Sequence, residues 1–211
     1  TGIGTDNIDI VINELDALSN INFSTRKVSL KKKSLNIYRL GTSGGVQKYD
    51  DEIVVSQYSI GLDGLAYYYE SDDFLNTKIS EKFKSHMNWP DALSLPYCVS
   101  CDDNLLKMFS SFKAGITITA TGFYAPQGRN LRLKSSIEDL HKKLEDFKFN
   151  DLRILNFEME SSAIYFLSKM LGHKSITICS VLSNRNIKTF KKEPKKIINK
   201  MIESSLSIIS K

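Results

Sequence analysis

Cysteine is scarce in this 211-residue chain, which contains only Cys98, Cys101 and Cys179. So small and odd a number does not support the disulfide framework of a small secreted domain. We therefore expect reduced thiols and a cytoplasmic protein. Cys98 and Cys101 have the spacing of a zinc or redox pair, but no second pair accompanies them, and a zinc site needs four ligands. We predict buried structural thiols and no metal.

Long apolar runs are also missing. The longest uncharged apolar stretches, Ile116–Ala120 and Ile176–Val181, are far shorter than the length that crosses a bilayer. The chain does not open with the charged and apolar pattern of a signal peptide. We therefore expect no membrane partner.

Charge of one sign is present in only slight excess, with 29 Lys and Arg against 24 Asp and Glu and a formal net charge of +5. A nucleic-acid-binding protein usually concentrates more positive charge on one face. Here the lysines fall in separate short runs, so we expect no nucleic-acid partner. A mild positive excess suits an anionic small substrate through steering.

Helical and strand patterns alternate along the chain, which predicts an α/β layer fold with a mixed sheet. The predicted helices follow Thr5, lie around Phe74–Phe83, run from Asp102 through Phe112, cover Ile137–Lys148 and Met159–Leu171, and follow Pro194. The predicted strands are Leu35–Leu40, Ile53–Ser56, Ile116–Thr121 and Ser175–Leu182. In such sheets, ligands bind beyond the strand ends, where the polar motifs of this chain fall.

The first motif runs from Arg39 to Gly45, where a predicted strand ends in a glycine-rich turn. Glycine lets backbone N–H groups approach an anion closely. Arg39 adds forked donors suited to phosphate, and Thr42 adds a hydroxyl. The motif predicts a cradle for phosphate or a phosphosugar. An ordinary tight turn with a surface arginine is the alternative.

The second motif, Phe123 to Arg129, follows the predicted strand Ile116–Thr121. Phe123 offers a flat apolar face. Gln127 donates and accepts at once, which suits the N3–H and carbonyl edge of uracil. Arg129 can serve a carbonyl oxygen and the negative charge of a departing ring. The alternative is a polar surface turn.

Two further motifs carry polar residues. Glu158 and Glu160 flank Met159 before a predicted apolar helix, where Glu160 is our choice for holding a ribose diol and Met159 can pack against the sugar. Simple capping of the helix by the carboxylates is the alternative. Asn184 and Arg185 follow a buried strand and can line the same crevice, unless they form a plain strand-to-loop transition.

Together with Thr1–Gly4, these motifs occur in the same order in uridine phosphorylases, and the chain resembles this family of the nucleoside phosphorylase I superfamily from Thr1 to about its last helix. The resemblance implies a three-layer α/β/α fold with a central mixed, partly barrel-like sheet. It also implies a pentosyltransferase that converts uridine and phosphate to uracil and ribose 1-phosphate. Inorganic phosphate is then the co-substrate, no cofactor is needed, and the assembly is a homodimer or a hexamer.

The resemblance also implies a role for each motif residue. Arg39, Arg129 and Glu160 are the expected catalytic residues. The expected phosphate contacts are Arg39 and Thr42, and the expected ribose contacts are Thr42, Glu158, Met159 and Glu160. The expected base contacts are Ser43, Gly44, Phe123, Gln127, Arg129, Asn184 and Arg185.

Two alternatives stay open. Purine nucleoside phosphorylases and nucleoside hydrolases share the fold, but they carry an aspartate after the late strand, and the chain has Leu182-Ser183-Asn184-Arg185 there. A non-catalytic nucleoside-binding module is the second alternative. It is favoured by a departure from the family, whose earlier phosphate loop and first strands lie upstream of the segment Thr1–Gly4. We expect residues 1–211 to form a single domain without those strands, as part of a longer or cut chain.

Overall fold

The computed structural model describes residues 2–47, 52–70, 73–184 and 189–210, and these contain six α-helices and ten strands. The helices are α1 (Thr5–Asn20), α2 (Thr77–Met87), α3 (Asp103–Met108), α4 (Leu140–Asp146), α5 (Ser161–Leu171) and α6 (Pro194–Ile209). The strands are β1 (Ile21–Asn22), β2 (Lys27–Val28), β3 (Asn36–Gly45), β4 (Ile53–Gly61), β5 (Tyr97–Ser100), β6 (Lys113–Thr119), β7 (Lys148–Phe149), β8 (Leu152–Glu158), β9 (Lys174–Asn184) and β10 (Thr189–Phe190). Short 3₁₀ turns cover Leu65–Tyr68 and Ala125–Gln127.

Eight of the strands form one mixed sheet in the order β10-β9-β3-β8-β6-β4-β5, with β7 beside β8. Strands β3 and β9 are parallel, as are β4, β6 and β8. An additional antiparallel pairing of β4 with β9 joins the sheet to itself. The strands β9, β3, β8, β6 and β4 therefore form a closed ring, and the predicted α/β fold with a mixed, partly barrel-like sheet is confirmed.

Helices cover both sides of this sheet. One apolar cluster packs α1, α3, α5 and α6 against the strands, and a second packs α2 and α4. A third, small cluster of Val54, Leu155, Cys179 and Val181 belongs to strands of the ring. Burial of the two large apolar faces is the main force that holds such layers together.

Local sequence signals fix several element ends. The carboxylate of Asp102 accepts hydrogen bonds from the N–H groups of Asn104 and Leu105, so it caps α3 as predicted. Gly172 ends α5 in the left-handed region at φ 77°, a conformation that glycine adopts without strain. Pro194 occupies the first turn of α6, where its missing N–H costs nothing.

One tyrosine bridges two strands of the ring. The Tyr165 hydroxyl, on α5, donates to the Ser56 carbonyl of β4 at 2.6 Å and accepts from the Thr177 N–H of β9 at 2.8 Å. Burial raises the pKa of Tyr165 well above its ordinary value. The neutral phenol therefore satisfies two buried backbone groups where β4 and β9 meet.

The structure corrects several sequence predictions. The glycine run from Gly41 to Gly45 is not a turn, because β3 continues as a strand to Gly45 with an irregularity after Ser43. Strands β5 and β8 were not predicted. The predicted helix from Asp102 ends at Met108, well before Phe112.

Over most of its length, β3 pairs with another described strand on one edge only. Along its whole length it pairs with β9, but β8 reaches only Gly44 and Gly45. Among the described residues, no strand pairs with the other edge of Asn36–Ser43. This edge faces the groove between β3 and α1 that continues into the site described below.

All three thiols are free and buried. Within the described ranges, no three His, Cys, Asp or Glu side chains come together in a way that could hold a metal ion. Over the same ranges, none of the helices combines the length and apolar character needed for a bilayer span.

Candidate active site

A cavity of about 690 Å³ opens where β3, β8 and the N-terminus of α1 meet. Ten of the residues singled out from the sequence lie on its walls: Arg39, Thr42, Ser43, Gly44, Phe123, Gln127, Arg129, Glu158, Met159 and Glu160. The loop of Gly2 and Ile3, which precedes α1, closes one side. Four separate stretches of the chain thus converge on one chamber.

The side chain of Arg39 lies along β3, over Gly41. A Cβ atom at Gly41 would come within 2.5 Å of Arg39 Nη1, so the guanidinium occupies the space that a side chain would take there. Gly41 is the register partner of Cys179 on β9, and Arg39 Nη1 donates to Cys179 Sγ at 3.2 Å. The absence of a side chain at Gly41 therefore lets Arg39 reach across to the neighbouring strand.

Two carboxylates hold the other arm of Arg39. Its Nη2 atom lies 3.1 Å from Glu158 Oε2 and donates a short hydrogen bond to Glu160 Oε2. Burial alone would lower the pKa of the guanidinium, but the charges of Glu158 and Glu160 outweigh it and raise that pKa. Arg39 is consequently a permanent, fixed cation at the floor of the cavity.

Glu158 is anchored on all sides by donors. Its carboxylate accepts from Thr119 Oγ1 at 2.7 Å, from the Glu160 N–H at 2.9 Å and from the Ser161 N–H at 3.0 and 3.2 Å. Its side chain is only 1% exposed. A buried carboxylate with this many donors is held in one orientation, in which it faces Arg39.

Glu160 connects the cavity to α1. Its Oε1 atom accepts from the Gly4 N–H at 2.8 Å, while Oε2 accepts from Arg39. Gly4 adopts φ 99°, which orients its N–H at the positive end of the α1 dipole. Met159, between the two glutamates, is partly exposed on the cavity wall.

An arginine and an aromatic ring face each other on another wall. The Arg129 guanidinium carbon lies 3.5 Å from the centroid of the Phe123 ring, within cation–π distance. Its Nε atom is buried and makes no hydrogen bond within the described part of the chain. Burial lowers the pKa of Arg129. A buried donor with no acceptor favours a ligand that brings an oxygen.

Gln127 is 5% exposed and sits at the end of a 3₁₀ turn. The turn ends at Gly128, which has φ 67°, and a Cβ there would lie 2.8 Å from His141 Nε2. His141, on α4, hydrogen-bonds to the backbone of Gly128 and Gln127, and burial lowers its pKa. Glycine is thus required at position 128 both for its conformation and for the approach of the imidazole.

The remaining two predicted base contacts stand apart. Asn184 is 6% exposed, donates a short hydrogen bond from Nδ2 to the Gln47 carbonyl, and is not on the cavity wall. Its role as a base contact remains a prediction, and the geometry favours a part in holding β9 near Val46–Gln47. Arg185 lies outside the described residues.

Sequence reasoning missed several residues of this site. Cys179 and Thr119 contact the Arg39–Glu158 pair from β9 and β6, and Phe190 lies on the cavity wall. No local pattern marks them, because their positions depend on which strands become neighbours. A hydroxyl-bearing residue within the apolar strand β6 was the one available signal for Thr119.

The chamber is lined by a fixed cation, Arg39, paired with Glu160, and by a second cation, Arg129, beside the ring of Phe123. The thioether of Met159 lies on the same wall. Such a site can hold an anion, a polyol and a flat ring with carbonyl oxygens. It can also stabilise negative charge that develops on the ring.

Comparison with known proteins agrees with this arrangement. The chain is 23% identical to a uridine phosphorylase of Thermococcus kodakarensis over 93% of its own length, and it spans 60% of the length of that relative. It is 22% identical to the uridine phosphorylase of Haemophilus influenzae, over all of this chain and 75% of that protein. The resemblance to uridine phosphorylases is thereby confirmed.

Solved structures show the same fold. A Trypanosoma brucei nucleoside phosphorylase that shows uridine phosphorylase activity superposes with a TM-score of 0.80 at 25% identity, over 95% of this chain and 75% of that one. Isoform 2 of the uridine phosphorylase from Schistosoma mansoni has a TM-score of 0.64 at 21% identity, over 98% of this chain and 70% of that one, and supports the fold alone. A family model described as the phosphorylase superfamily matches residues 1–211. The chain belongs to the phosphorylase superfamily.

Proposed function

We propose that this protein is a uridine phosphorylase, a pentosyltransferase that cleaves uridine with inorganic phosphate. The observation that carries the proposal is the single cavity that brings Arg39 and Glu160 together with Phe123, Gln127 and Arg129. The names of the relatives and of the Trypanosoma brucei structure support the same activity.

In the proposed reaction, the C1′–N1 bond of uridine breaks and a phosphate oxygen forms the new bond to C1′. The electron pair of the broken bond leaves with the uracil ring. Arg39 and Thr42 hold the phosphate, whose negative charge stabilises the cationic character of the sugar. Glu160 and Met159 hold the ribose, and Arg129 stabilises the charge on the departing base.

Other residues complete the proposed contacts with the base. Ser43 and Gly44 lie beside the base, Phe123 packs against it, and Gln127 pairs with its edge. We assign Glu158 to orienting Arg39, since its oxygens already accept four hydrogen-bonding contacts from the protein. No cofactor takes part, and phosphate is the second substrate.

We also propose a cytoplasmic homo-oligomer, a dimer or a hexamer. Three free, buried thiols suit a reducing compartment. The oligomeric state follows from the family resemblance, and sedimentation velocity measures it.

The test is the release of uracil from uridine by the purified protein, with and without inorganic phosphate. We expect release only with phosphate, and its loss in the Arg39→Met variant, with Arg26→Met as a control at an exposed position. Release without phosphate would indicate a hydrolase. Cleavage of inosine faster than uridine would indicate a purine phosphorylase. Uridine binding without turnover in either condition would indicate a binding module.

A further inference from the structure

We propose that Thr119 is a positioning residue that sets the phosphate affinity of Arg39 through Glu158. The inference rests on the proposed function, because it concerns the phosphate end of the same site. Thr119 does not lie on the cavity wall, and no motif of the sequence marks it.

The direction of each hydrogen bond at Thr119 follows from its single proton. An ionised carboxylate only accepts, so Thr119 Oγ1 donates to Glu158 Oε1 at 2.7 Å. The same oxygen must then accept from Ser59 Oγ at 2.9 Å, as it does from the Ser162 N–H at 3.0 Å. Thr119 is completely buried, so water cannot replace any of these partners.

The two carboxylate oxygens of Glu158 depend on this hydroxyl to different extents. Oε2 accepts from the Glu160 and Ser161 N–H groups and faces Arg39 at 3.1 Å. Oε1 accepts from Thr119 and, at 3.2 Å, from the Ser161 N–H, which it shares with Oε2. Loss of the Thr119 hydroxyl therefore leaves one oxygen of a buried anion short of a donor, and the carboxylate must turn to regain one.

A turn of Glu158 changes the environment of Arg39. Nη2 of Arg39 is shared between Glu158 and Glu160, while Nη1 is held by Cys179. When Glu158 turns away, Glu160 alone holds Nη2. The guanidinium then loses one of the two carboxylates that fix its orientation, and its donors are less well ordered for phosphate. The geometry thus couples Thr119 to phosphate binding through two intervening side chains.

The chain provides a closely matched control on the same strand. Thr117 is 1% exposed, donates to Asn156 Oδ1 of β8 at 2.7 Å, and contacts Ser56 of β4 at 2.5 Å. Thr117 and Thr119 therefore make equivalent bridges between β4, β6 and β8. Only the Thr119 bridge ends on a residue that contacts Arg39.

The experiment compares the unaltered chain with Thr119→Val, Thr119→Ser and Thr117→Val. Steady-state kinetics give the KM for phosphate and kcat for uridine cleavage, and calorimetric titration with inorganic phosphate gives a Kd without turnover. We expect Thr119→Val to raise the KM and the Kd for phosphate roughly tenfold, with a smaller change in kcat. Thr119→Ser should restore both values, and Thr117→Val should leave them unchanged.

Each alternative result is informative. An equal rise in Thr117→Val and Thr119→Val would show that both threonines act through the sheet alone, and would overturn the proposal. Unchanged phosphate affinity in Thr119→Val would do the same. Phosphate binding by the unaltered chain with the expected variant pattern but no uracil release would refute the proposed function and leave the role of Thr119 standing. Failure of the unaltered chain to bind phosphate would overturn both.

Discussion

At the scale of single residues, Arg129 has a buried donor that a ligand oxygen would satisfy. Its guanidinium carbon lies 3.5 Å from the centroid of the Phe123 ring, and its buried Nε has no acceptor within the described residues. A uracil carbonyl would supply that acceptor. The positive charge of Arg129 would then stabilise the negative charge on the ring as it leaves.

We therefore expect Arg129→Ala to lower kcat/KM for uridine by roughly a hundredfold, the usual effect of removing one donor to a developing negative charge. Arg132→Ala is the matched control, since Arg132 belongs to the same loop and is exposed. Steady-state kinetics with both variants test the prediction. Equal kcat/KM values for Arg129→Ala and the unaltered chain would remove Arg129 from the proposed site.

The residue scale also shows what the sequence could predict. Residue type and spacing, together with the family resemblance, were enough to single out ten residues that share one cavity. The sequence did not predict the residues that orient them. Cys179 contacts Arg39 only because β9 pairs with β3 in a register that sets Cys179 opposite Gly41. Register depends on the whole sheet and not on neighbouring residues.

At the scale of elements, the loop that carries Gln127 and Arg129 rests on α4. His141 lies beneath Gly128, with its ring 5.7 Å from that of Phe157 on β8. Burial lowers the pKa of His141 below its ordinary value of 6.5, although its hydrogen bonds to Gly128 and Gln127 oppose this. The folded loop therefore prefers the neutral imidazole.

This preference has a definite sign with pH. Below about pH 6.5 the unfolded chain takes up a proton at His141 more readily than the folded chain, so stability is lost as the pH falls. We expect His141→Gln to reduce the loss of unfolding free energy between about pH 8 and about pH 5.5, by less than about 1 kcal/mol because His141 is partly exposed. Urea unfolding at both pH values measures it. An identical loss in both proteins would contradict the prediction.

Elements also mark where prediction from sequence failed. Strand β8 was missed because its last residues, which carry Asn156 and Glu158, were interpreted as the polar start of the following helix, whereas in the structure both faces of their strand are buried. The side-chain oxygens of its polar members Asn156 and Glu158 accept hydrogen bonds from Thr117 and Thr119 of β6. Likewise Gly41–Gly45 stays extended because β9 pairs with it throughout. In both cases a distant strand overrides local preference.

At the scale of the whole molecule, three residue pairs between β4 and β9 close the ring within the part of the chain that the structure describes. Tyr165 reinforces this junction from α5 with one donated and one accepted hydrogen bond. The phenol thereby connects a helix of the outer layer with the two strands that complete the ring.

Removal of that hydroxyl should weaken the entire fold. Tyr165→Phe leaves the Ser56 carbonyl and the Thr177 N–H buried without this partner, and we expect a loss of about 1–3 kcal/mol in the free energy of unfolding. Tyr68→Phe, at a position 87% exposed, is the control. Urea denaturation followed by circular dichroism measures both. A change under about 0.5 kcal/mol for Tyr165→Phe would contradict this account of the junction.

Because the three thiols are buried, the rate at which a reagent labels each one measures how fast the surrounding structure opens. Burial raises the pKa of Cys179 to about 11, that of Cys101 to about 12, and that of Cys98 further still. Since the thiolate is the form that reacts, the closed protein offers almost nothing to an alkylating reagent. Each labelling event must wait for the surrounding strands to separate. The order in which the three sites are labelled would therefore record whether the β5 edge or the β9 centre of the sheet comes apart first.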